Sequence, residues 1–406
     1  MMRNFPARFL PLAMTVLLLA FIGCGQDPGT TQQTSPTAGE GQQSSPAAAP
    51  AGPGNGPTPI RIGVAGAHSG DLASYGLPTV KAAQLVIDAV NDRGGIDGRP
   101  VELLIEDDVC KPEIATNTAT RLVTAKVDAV LGHICSGATK AAIGIYKNAE
   151  IVVISPSATN PELTRSGSYP NFFRTIAPDD MQARLEVDFA LGTLKASRLA
   201  VLHDKGDYGK GLAEYARSFI EASGSAEVVL YEGVTPGAVD YSAVVQKIKR
   251  SGAHAVIFGG YHPEASKIVS QMRKKGIDIP FISDDGVKDD TFIKVAREYA
   301  EGVYATGPTD VSLNPLTMQA EKELRDRFHE EPGAFFLNAY AAALALVNAF
   351  DKANSTSYEE LTRALRQFDV DTPLGAIHFD DHGDAVGVGF SMYQVQNGQY
   401  VQVPPR

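Results

Sequence analysis

Short apolar runs alternate with helical patterns through most of this chain. The first series has runs that start at Ile60, Val101, Val127 and Ile151, and segments with helical spacing of apolar residues separate them. The pattern breaks at residues 173–178, then restarts and continues to the run PFISDD. Alternating strands and helices form parallel sheets, because each crossover helix returns the chain to the same end of the sheet. The two series therefore predict an α/β fold with two doubly wound parallel-sheet lobes.

The segments after the second series predict that the chain crosses between the lobes more than once. We expect a hinge of several strands, with a ligand cleft between the lobes at the carboxyl ends of the strands. The predicted boundaries place residues 59–176 and 308–376 in lobe one, and residues 177–307 and 377–406 in lobe two.

The N-terminus has the pattern of a targeting segment, which we assign to residues 1–24. Arg3 and Arg8 precede an apolar run from Leu10 to Ile22. This run is too short to span a bilayer, which needs about 20 residues. Its end at Gly23-Cys24 resembles a bacterial lipobox, in which the cysteine becomes lipidated, although Phe21 stands where that pattern usually has Leu. The alternative is an ordinary cleaved signal peptide with an incidental cysteine.

Residues 25–58 are rich in Pro, Ser, Thr, Gly and Gln and contain hardly any large apolar residue. Such a segment cannot bury a core, so we predict a disordered tether with a reach of about 30 Å. A lipid on Cys24 and this tether together predict a globular body on the periplasmic or extracytoplasmic face of a bacterial membrane.

The sequence contains three cysteines, Cys24, Cys110 and Cys135. If Cys24 carries lipid, an even pair remains in an exported chain, where disulfides persist. Cys110 and Cys135 each follow a predicted strand of the first lobe. Parallel strands that end on the same side of a sheet could bring the two within bonding distance.

Composition and motifs exclude several classes of function. The net charge is −11, from 36 basic and 47 acidic residues, which argues against a nucleic-acid partner. No motif predicts a cofactor, the His and Asp residues match no metal-site spacing, and no nucleophile–base set predicts an enzyme.

Two strand–helix junctions carry hydroxyl groups. VDAVLGHICSGATKAA passes from a strand through Ser136 into a helix, and IVVISPSATNPELT passes from a strand through Ser157 and Thr159. Hydroxyls and free N–H groups at a helix N-terminus attract anions. We propose that the two loops lie side by side and hold the carboxylate of one small molecule.

Five segments, in order and spacing, resemble the periplasmic binding proteins for branched-chain amino acids, which serve ABC transport systems. They are NDRGGIDGRPVELLIEDDVC, LGHICSGAT, SPSATNPELT, HDKGDYGKGLA and GGYHPE. The resemblance extends from Ile60 to the C-terminal hairpin. It implies a monomer of two lobes that closes on a free amino acid and is recognised by a membrane permease.

The resemblance also implies roles for individual residues. Ser136 and Thr159 stand where hydroxyls bind the ligand carboxylate, with main-chain atoms of Ser157 beside them. Further positions stand where the family has the aromatic rings and the acid that surround the ligand; these are Tyr75, Tyr208, Tyr261, Phe335 and, for the α-ammonium, Asp285. Cys110 and Cys135 match the family's disulfide.

One position departs from the family pattern. The family has Glu at the ammonium position, whereas this chain has Asp284-Asp285-Gly286. Asp is one methylene shorter, so Asp285 must sit closer to the ammonium, use a bridging water or yield to Asp284.

The sequence therefore predicts a solute-binding lipoprotein that captures Leu, Ile or Val by hinge closure and delivers it to an ABC permease. Two alternatives remain: an amino-acid-sensing receptor of the same fold, and a binding protein for another amino acid or an amide or urea-like solute.

Overall fold

The computed structural model describes residues 57–404, and within them the chain forms fourteen strands and twelve α-helices. The predicted targeting segment, its Cys24 and nearly all of the predicted tether lie outside the described residues. Between residues 57 and 404, no helix is both long and apolar enough to cross a membrane.

The first sheet has five strands, all parallel, in the order β2-β1-β3-β4-β5. Its strands are β1 (Ile60–Gly66), β2 (Val101–Asp107), β3 (Ala129–Leu131), β4 (Val152–Ser155) and β5 (Phe172–Arg174). The helices between them are α1 (Ala73–Asp92), α2 (Pro112–Thr124), α3 (Ser136–Asn148) and α4 (Glu162–Arg165).

The second sheet has seven strands in the order β14-β13-β10-β9-β8-β6-β7. They are β6 (Arg198–His203), β7 (Glu227–Gly233), β8 (Ala255–Gly259), β9 (Phe281–Ser283), β10 (Tyr304–Pro308), β13 (Phe390–Gln396) and β14 (Gln399–Gln402). Strands β6 to β10 pair in parallel, whereas β13 is antiparallel to both β10 and β14. Its helices are α5 (Asp179–Asp188), α6 (Asp207–Ser223), α7 (Ser242–Ser251), α8 (His262–Lys274) and α9 (Asp290–Ala296).

Three later helices return to the first sheet. They are α10 (Pro315–Phe328), α11 (Phe336–Ala353) and α12 (Tyr358–Gln367), and a small hairpin of β11 (Val370–Thr372) and β12 (Gly375–Ile377) follows them. Apolar residues of α10 to α12 share one buried core with α1 and one face of the first sheet. We call this body lobe one and the body around the second sheet lobe two.

The chain passes between the lobes three times, after β5, after β10 and after β12. The arrangement confirms the predicted α/β class with two parallel-sheet lobes and a multi-strand hinge. The residue boundaries proposed from the sequence stay a prediction.

Two local features of lobe one, strand β5 and the start of helix α1, have identifiable physical causes. Strand β5, residues 172–174, overlaps the predicted break at 173–178, because Phe172 and Phe173 pack into cores on opposite faces of the sheet. Tyr75 lies in helix α1. Gly76 lies in the same helix. Only glycine fits at this position, because a Cβ would overlap the Ala67 carbonyl oxygen.

Candidate functional site

The two hydroxyl-bearing loops of lobe one lie side by side. Ser136 is the first residue of α3, and its Oγ accepts a hydrogen bond from the Asn160 N–H at 3.2 Å. Ser157 Oγ donates to the Ile134 carbonyl oxygen at 2.8 Å, so this hydroxyl is already engaged. The hydrogen of the Ser157 hydroxyl is therefore not free for a ligand, and the Ser157 N–H donates to Ser155 Oγ at 3.3 Å.

A buried arginine holds the second loop in place. Arg174 has no exposed surface, and its guanidinium donates to the carbonyl oxygens of Ala158 and Asn160 at 3.2 and 3.0 Å. The same group pairs with Asp384 at 2.6 Å. Thr159, between the two bound carbonyls, is thus fixed by a buried cation that reaches across from strand β5.

Lobe two supplies a tyrosine and a carboxylate. Tyr208, in the first turn of α6, donates through its hydroxyl to Asp285 Oδ1 and accepts from the Gly286 N–H at 3.1 Å. Helix α6 approaches strand β8 closely, because Gly209 and Gly259 meet where a Cβ would overlap backbone atoms. This close contact places Tyr208 against the loop that carries Asp285.

The two lobes touch each other across the cleft. The Tyr75 hydroxyl of lobe one donates to the Gly286 carbonyl oxygen of lobe two at 2.6 Å. Beside this contact, Ser74 Oγ lies 3.4 Å from the His262 Nε2 atom. At the outer edge, Lys140 and Asp207 form an ion pair at 3.1 Å. The lobes are therefore closed on each other.

A cavity lies at this junction and contains about 260 Å³ of space free of atoms, counting its mouth. Seven of the eight predicted ligand-binding residues line it, and Ile134, Cys135 and Gly286 complete the wall; the seven are Tyr75, Ser136, Ser157, Tyr208, Tyr261, Asp285 and Phe335. Thr159 is fully buried and does not line the cavity.

Polar and apolar groups occupy different parts of this wall. Hydroxyl and main-chain groups come from lobe one, and the Asp285 carboxylate comes from lobe two. Aromatic rings form most of the remainder; the Tyr75 ring centroid lies 5.7 Å from that of Phe335 and 6.1 Å from that of Tyr261. Such a wall can hold a carboxylate, an ammonium and an aliphatic group together.

Comparison with known proteins identifies the family. The family model described as periplasmic binding protein matches residues 59–399. The chain belongs to the periplasmic binding protein family.

Two relatives and one solved structure indicate how far the similarity extends. The leucine-, isoleucine-, valine-, threonine- and alanine-binding protein of Pseudomonas aeruginosa is 34% identical over 82% of this chain and 89% of the relative. The Leu/Ile/Val-binding protein of Escherichia coli K12 is 33% identical over 82% of this chain and 90% of the relative. One solved structure is the branched-chain amino acid transporter substrate-binding protein LivJ of Streptococcus pneumoniae in complex with isoleucine. It is 30% identical, the match covers 85% of this chain and 100% of LivJ, and the TM-score is 0.76.

The predicted disulfide is present in this periplasmic binding protein. Cys110 and Cys135 are bonded, with their Cα atoms 5.5 Å apart. Cys110 follows β2 and Cys135 immediately precedes Ser136. The bond therefore ties the first hydroxyl-bearing loop to the end of β2, across the intervening strand β1.

Burial shapes the charge of Asp285. Desolvation raises the pKa of this carboxyl to about 6, although the hydrogen bond from the Tyr208 hydroxyl and the nearby Gln182 amide favour its charged form and oppose the rise. Its second oxygen, Oδ2, has no hydrogen-bond partner among the described residues. An ammonium group in the cavity would supply both a partner and a positive charge.

Other buried groups beside the site were missed from the sequence. Asp179, Glu186 and Asp284 are fully buried, and burial together with their mutual repulsion raises the pKa of each well above its usual value. Asp179 and Glu186 lie two turns apart on α5, with Gln182 between them, and all three are buried. The sequence signal for these groups was the spacing of polar residues at i, i+3 and i+7 on one helix face. Polar residues with this spacing rarely face a core, so the spacing could have indicated a buried polar site.

Proposed function

We propose that this chain is an extracytoplasmic solute-binding protein that captures a free branched-chain amino acid by hinge closure and delivers it to an ABC permease. The observation that carries the proposal is the composition of the cavity wall. Lobe one offers Ser136 and main-chain groups for a carboxylate, lobe two offers Asp285 for an ammonium, and aromatic rings with Ile134 surround the rest. The names of the relatives, which include Leu, Ile and Val binders, support the same ligand class.

Hinge closure follows from the way in which the wall is shared. Neither lobe alone contains both the hydroxyl loops and the carboxylate, so the complete site forms only when the lobes meet. In the proposed sequence the amino acid binds lobe one first, through Ser136 and main-chain groups of the second hydroxyl-bearing loop. Lobe two then closes with Tyr208, Tyr261 and Asp285, and the permease recognises the closed form. X-ray scattering should show a more compact particle with ligand, and no compaction at saturation would contradict this mechanism.

Calorimetry tests the ligand class. The full chain would be unfolded and refolded to remove ligand carried through purification, and then titrated with Leu, Ile, Val, Ala, Thr, Phe and Glu. We expect one-to-one binding that is tightest for Leu, Ile and Val. Because a hydrogen bond to a charged group contributes about 1.5–3 kcal/mol, Ser136→Ala should weaken binding roughly 10- to 150-fold. Binding of none of these amino acids would overturn the proposed ligand.

We also propose that the protein is a monomer held at a bacterial membrane by lipid on Cys24. The support is the apolar run that ends at Gly23-Cys24 and the long polar segment that follows it. Cys24→Ser should release the protein from the membrane fraction of the expressing cells. Release of the wild-type protein as well would favour a simple cleaved signal peptide.

A further inference from the structure

Asn160 is a buried asparagine at the junction of the lobes, and each of its polar groups has a partner. Its N–H donates to Ser136 Oγ at 3.2 Å, and its carbonyl oxygen accepts from Arg174 at 3.0 Å. Its side-chain oxygen accepts from the Glu162 N–H, and its side-chain nitrogen donates to the Asp207 carbonyl oxygen, both at 2.9 Å. Three of these bonds lie within lobe one, whereas the fourth crosses to helix α6 of lobe two.

The main-chain bond of Asn160 sets what Ser136 can offer to a ligand. A serine hydroxyl has one hydrogen to donate and two lone pairs that accept. The Asn160 N–H occupies a lone pair of Ser136 Oγ, and this oxygen forms no other hydrogen bond with the described residues. Because Ser136 lines the cavity, its hydrogen is free for an acceptor there, such as a carboxylate.

The cross-lobe bond of Asn160 lies directly beside the lobe-two wall of the cavity. Asp207 is the first residue of α6, and the next residue, Tyr208, lines the cavity and donates to Asp285. The bond therefore attaches lobe one to the start of the helix that carries Tyr208. It forms only when the lobes are closed, since its donor and its acceptor belong to different lobes.

The Asn160 side chain fits tightly against α6. Gly211 lies one turn after Asp207, and a Cβ at this position would be 3.2 Å from Asn160 Nδ2, which is closer than an ordinary van der Waals contact. The amide cannot retreat freely, because its oxygen is held by the Glu162 N–H. A glycine at residue 211 thus lets α6 come close enough for the cross-lobe bond.

An ion pair also reaches Asp207 from lobe one, but it is exposed. Lys140 Nζ lies 3.1 Å from Asp207 Oδ1, and the two side chains are 40% and 43% exposed. Ion pairs in water contribute little, because solvent screens them and two long side chains lose freedom. Asn160 is only 7% exposed, so water competes much less for its amide bond.

We propose that Asn160 is a positioning residue that couples the Ser136 hydroxyl to closure of the lobes and sets the rate at which the ligand leaves. Its N–H orients the hydroxyl, and its side-chain amide holds α6 against lobe one in the closed form. The inference rests on the proposed function, because it takes an amino acid to be bound between closing lobes. Opening must break the cross-lobe bond, whereas capture by the open protein precedes it, so the bond acts on dissociation.

Stopped-flow kinetics with leucine test this coupling. Asn160→Asp has nearly the same size and keeps the oxygen that accepts from Glu162, but it loses the donor to Asp207. One net hydrogen bond corresponds to roughly 2- to 12-fold in an equilibrium constant, so leucine should dissociate faster by about this factor. The association rate constant should stay within about 2-fold of wild type. Tyrosine fluorescence reports binding, because three tyrosines line the cavity and the chain contains no Trp.

A substitution on the other side of the bond tests it without adding a charge. Gly211→Ala should release leucine faster than wild type, because the new methyl group presses on the Asn160 amide. The same change should make the ligand-free protein more resistant to urea, since Ala favours a helix over Gly. Gly144→Ala is the matched control: Gly144 lies within α3, an added Cβ meets nothing within 4 Å, and only the urea resistance should rise.

The outcomes separate this role from a structural one. A role in stability alone would move urea resistance and affinity in the same direction, whereas Gly211→Ala should move them in opposite directions. Leucine release at the wild-type rate from Asn160→Asp would overturn the inference. Faster release from Asn160→Asp but not from Gly211→Ala would assign the effect to the added charge and would also overturn it. Failure of the wild-type protein to bind any amino acid would overturn the proposed function and this inference with it.

Discussion

The Tyr75 hydroxyl donates a hydrogen bond of 2.6 Å to the Gly286 carbonyl oxygen, and this bond joins helix α1 of lobe one to the loop after β9 of lobe two. The acceptor residue directly follows Asp285, so the bond connects closure of the cleft with the position of the carboxylate. Tyr75 is also packed against Phe335, with ring centroids 5.7 Å apart. One side chain therefore forms part of the cavity wall and also holds the two lobes together.

Removing this hydroxyl should weaken ligand binding. Tyr75→Phe keeps the ring but leaves the buried Gly286 carbonyl without its partner, which costs about 1–3 kcal/mol and corresponds to a roughly 5- to 150-fold higher Kd. Titration calorimetry with leucine measures the change. Tyr400→Phe is a matched control, because the Tyr400 hydroxyl donates to the Val287 carbonyl oxygen at the same 2.6 Å but within lobe two. Equal effects of both variants on Kd would contradict a role in closure.

Asp285 should reduce the stability of the protein while it supports binding. Its folded-state pKa of about 6 exceeds the ordinary value of 3.8, so the folded protein binds the proton more tightly than the unfolded chain. The contribution of Asp285 to the free energy of unfolding therefore falls by roughly 3 kcal/mol in total as the pH rises from about 4 to 6. Without ligand, Asp285→Asn should be more stable than wild type at pH 7 and no more stable at pH 3.5.

Urea denaturation at the two pH values measures this difference. Asp371→Asn is the control, because Asp371 is exposed to water in the folded protein. Asp285→Asn should also lose most of its affinity for leucine, since it removes the charge opposite the ammonium. A variant that is less stable than wild type at pH 7 would show that burial of this carboxylate is compensated within the protein.

Arg174 should contribute to both stability and binding. Breaking a buried ion pair by removing one partner costs about 3–5 kcal/mol, because the other charge is left unpaired. Arg174→Met should lower the free energy of unfolding by this amount. It should also weaken ligand binding, because the carbonyl oxygens on either side of Thr159 lose their donor. Denaturation and calorimetry on the same preparation separate the two effects.

The neighbouring surface pair provides a contrast. Arg165 pairs with Asp180 at 2.5 Å, but the two side chains are 40% and 25% exposed. Arg165→Met should therefore cost less than about 1 kcal/mol and leave the affinity unchanged. If Arg174→Met also left the affinity unchanged, the clamp on the Thr159 loop would not matter for binding.

The disulfide should stabilise the first hydroxyl-bearing loop. Cys110 and Cys135 are separated by 25 positions, and closing a loop of that length stabilises the folded chain by about 3.5 kcal/mol in the chain-entropy model. The double variant Cys110→Ala, Cys135→Ala should show this loss in urea denaturation. Reducing agent should destabilise the wild-type protein to a similar extent and leave the double variant unchanged; a reductant effect on both would point to another cause.

The sequence by itself determined the α/β class, the two lobes and most of the residues that meet at the cavity. Periodicity carries this information, because strands and crossover helices in a parallel sheet differ in length and in the spacing of their apolar residues. Hydroxyl-rich segments at the ends of strands also mark the site, since such strand ends converge at one edge of a sheet. Ser136 and Ser157 line one cavity for this reason, whereas the other lining positions that were predicted, Asp285 among them, came from the resemblance to a known family.

Only the tertiary structure decided how these groups face each other. Tyr75 reaches Gly286, 211 positions away, and Arg174 reaches Asp384 across 210. No local pattern reports contacts over such separations, because they depend on how two folded bodies meet. The same holds for Asp179, which looks in the sequence like an ordinary acidic residue at the start of a helix. Its complete burial beside Thr159 follows from the packing of α5 at the lobe junction.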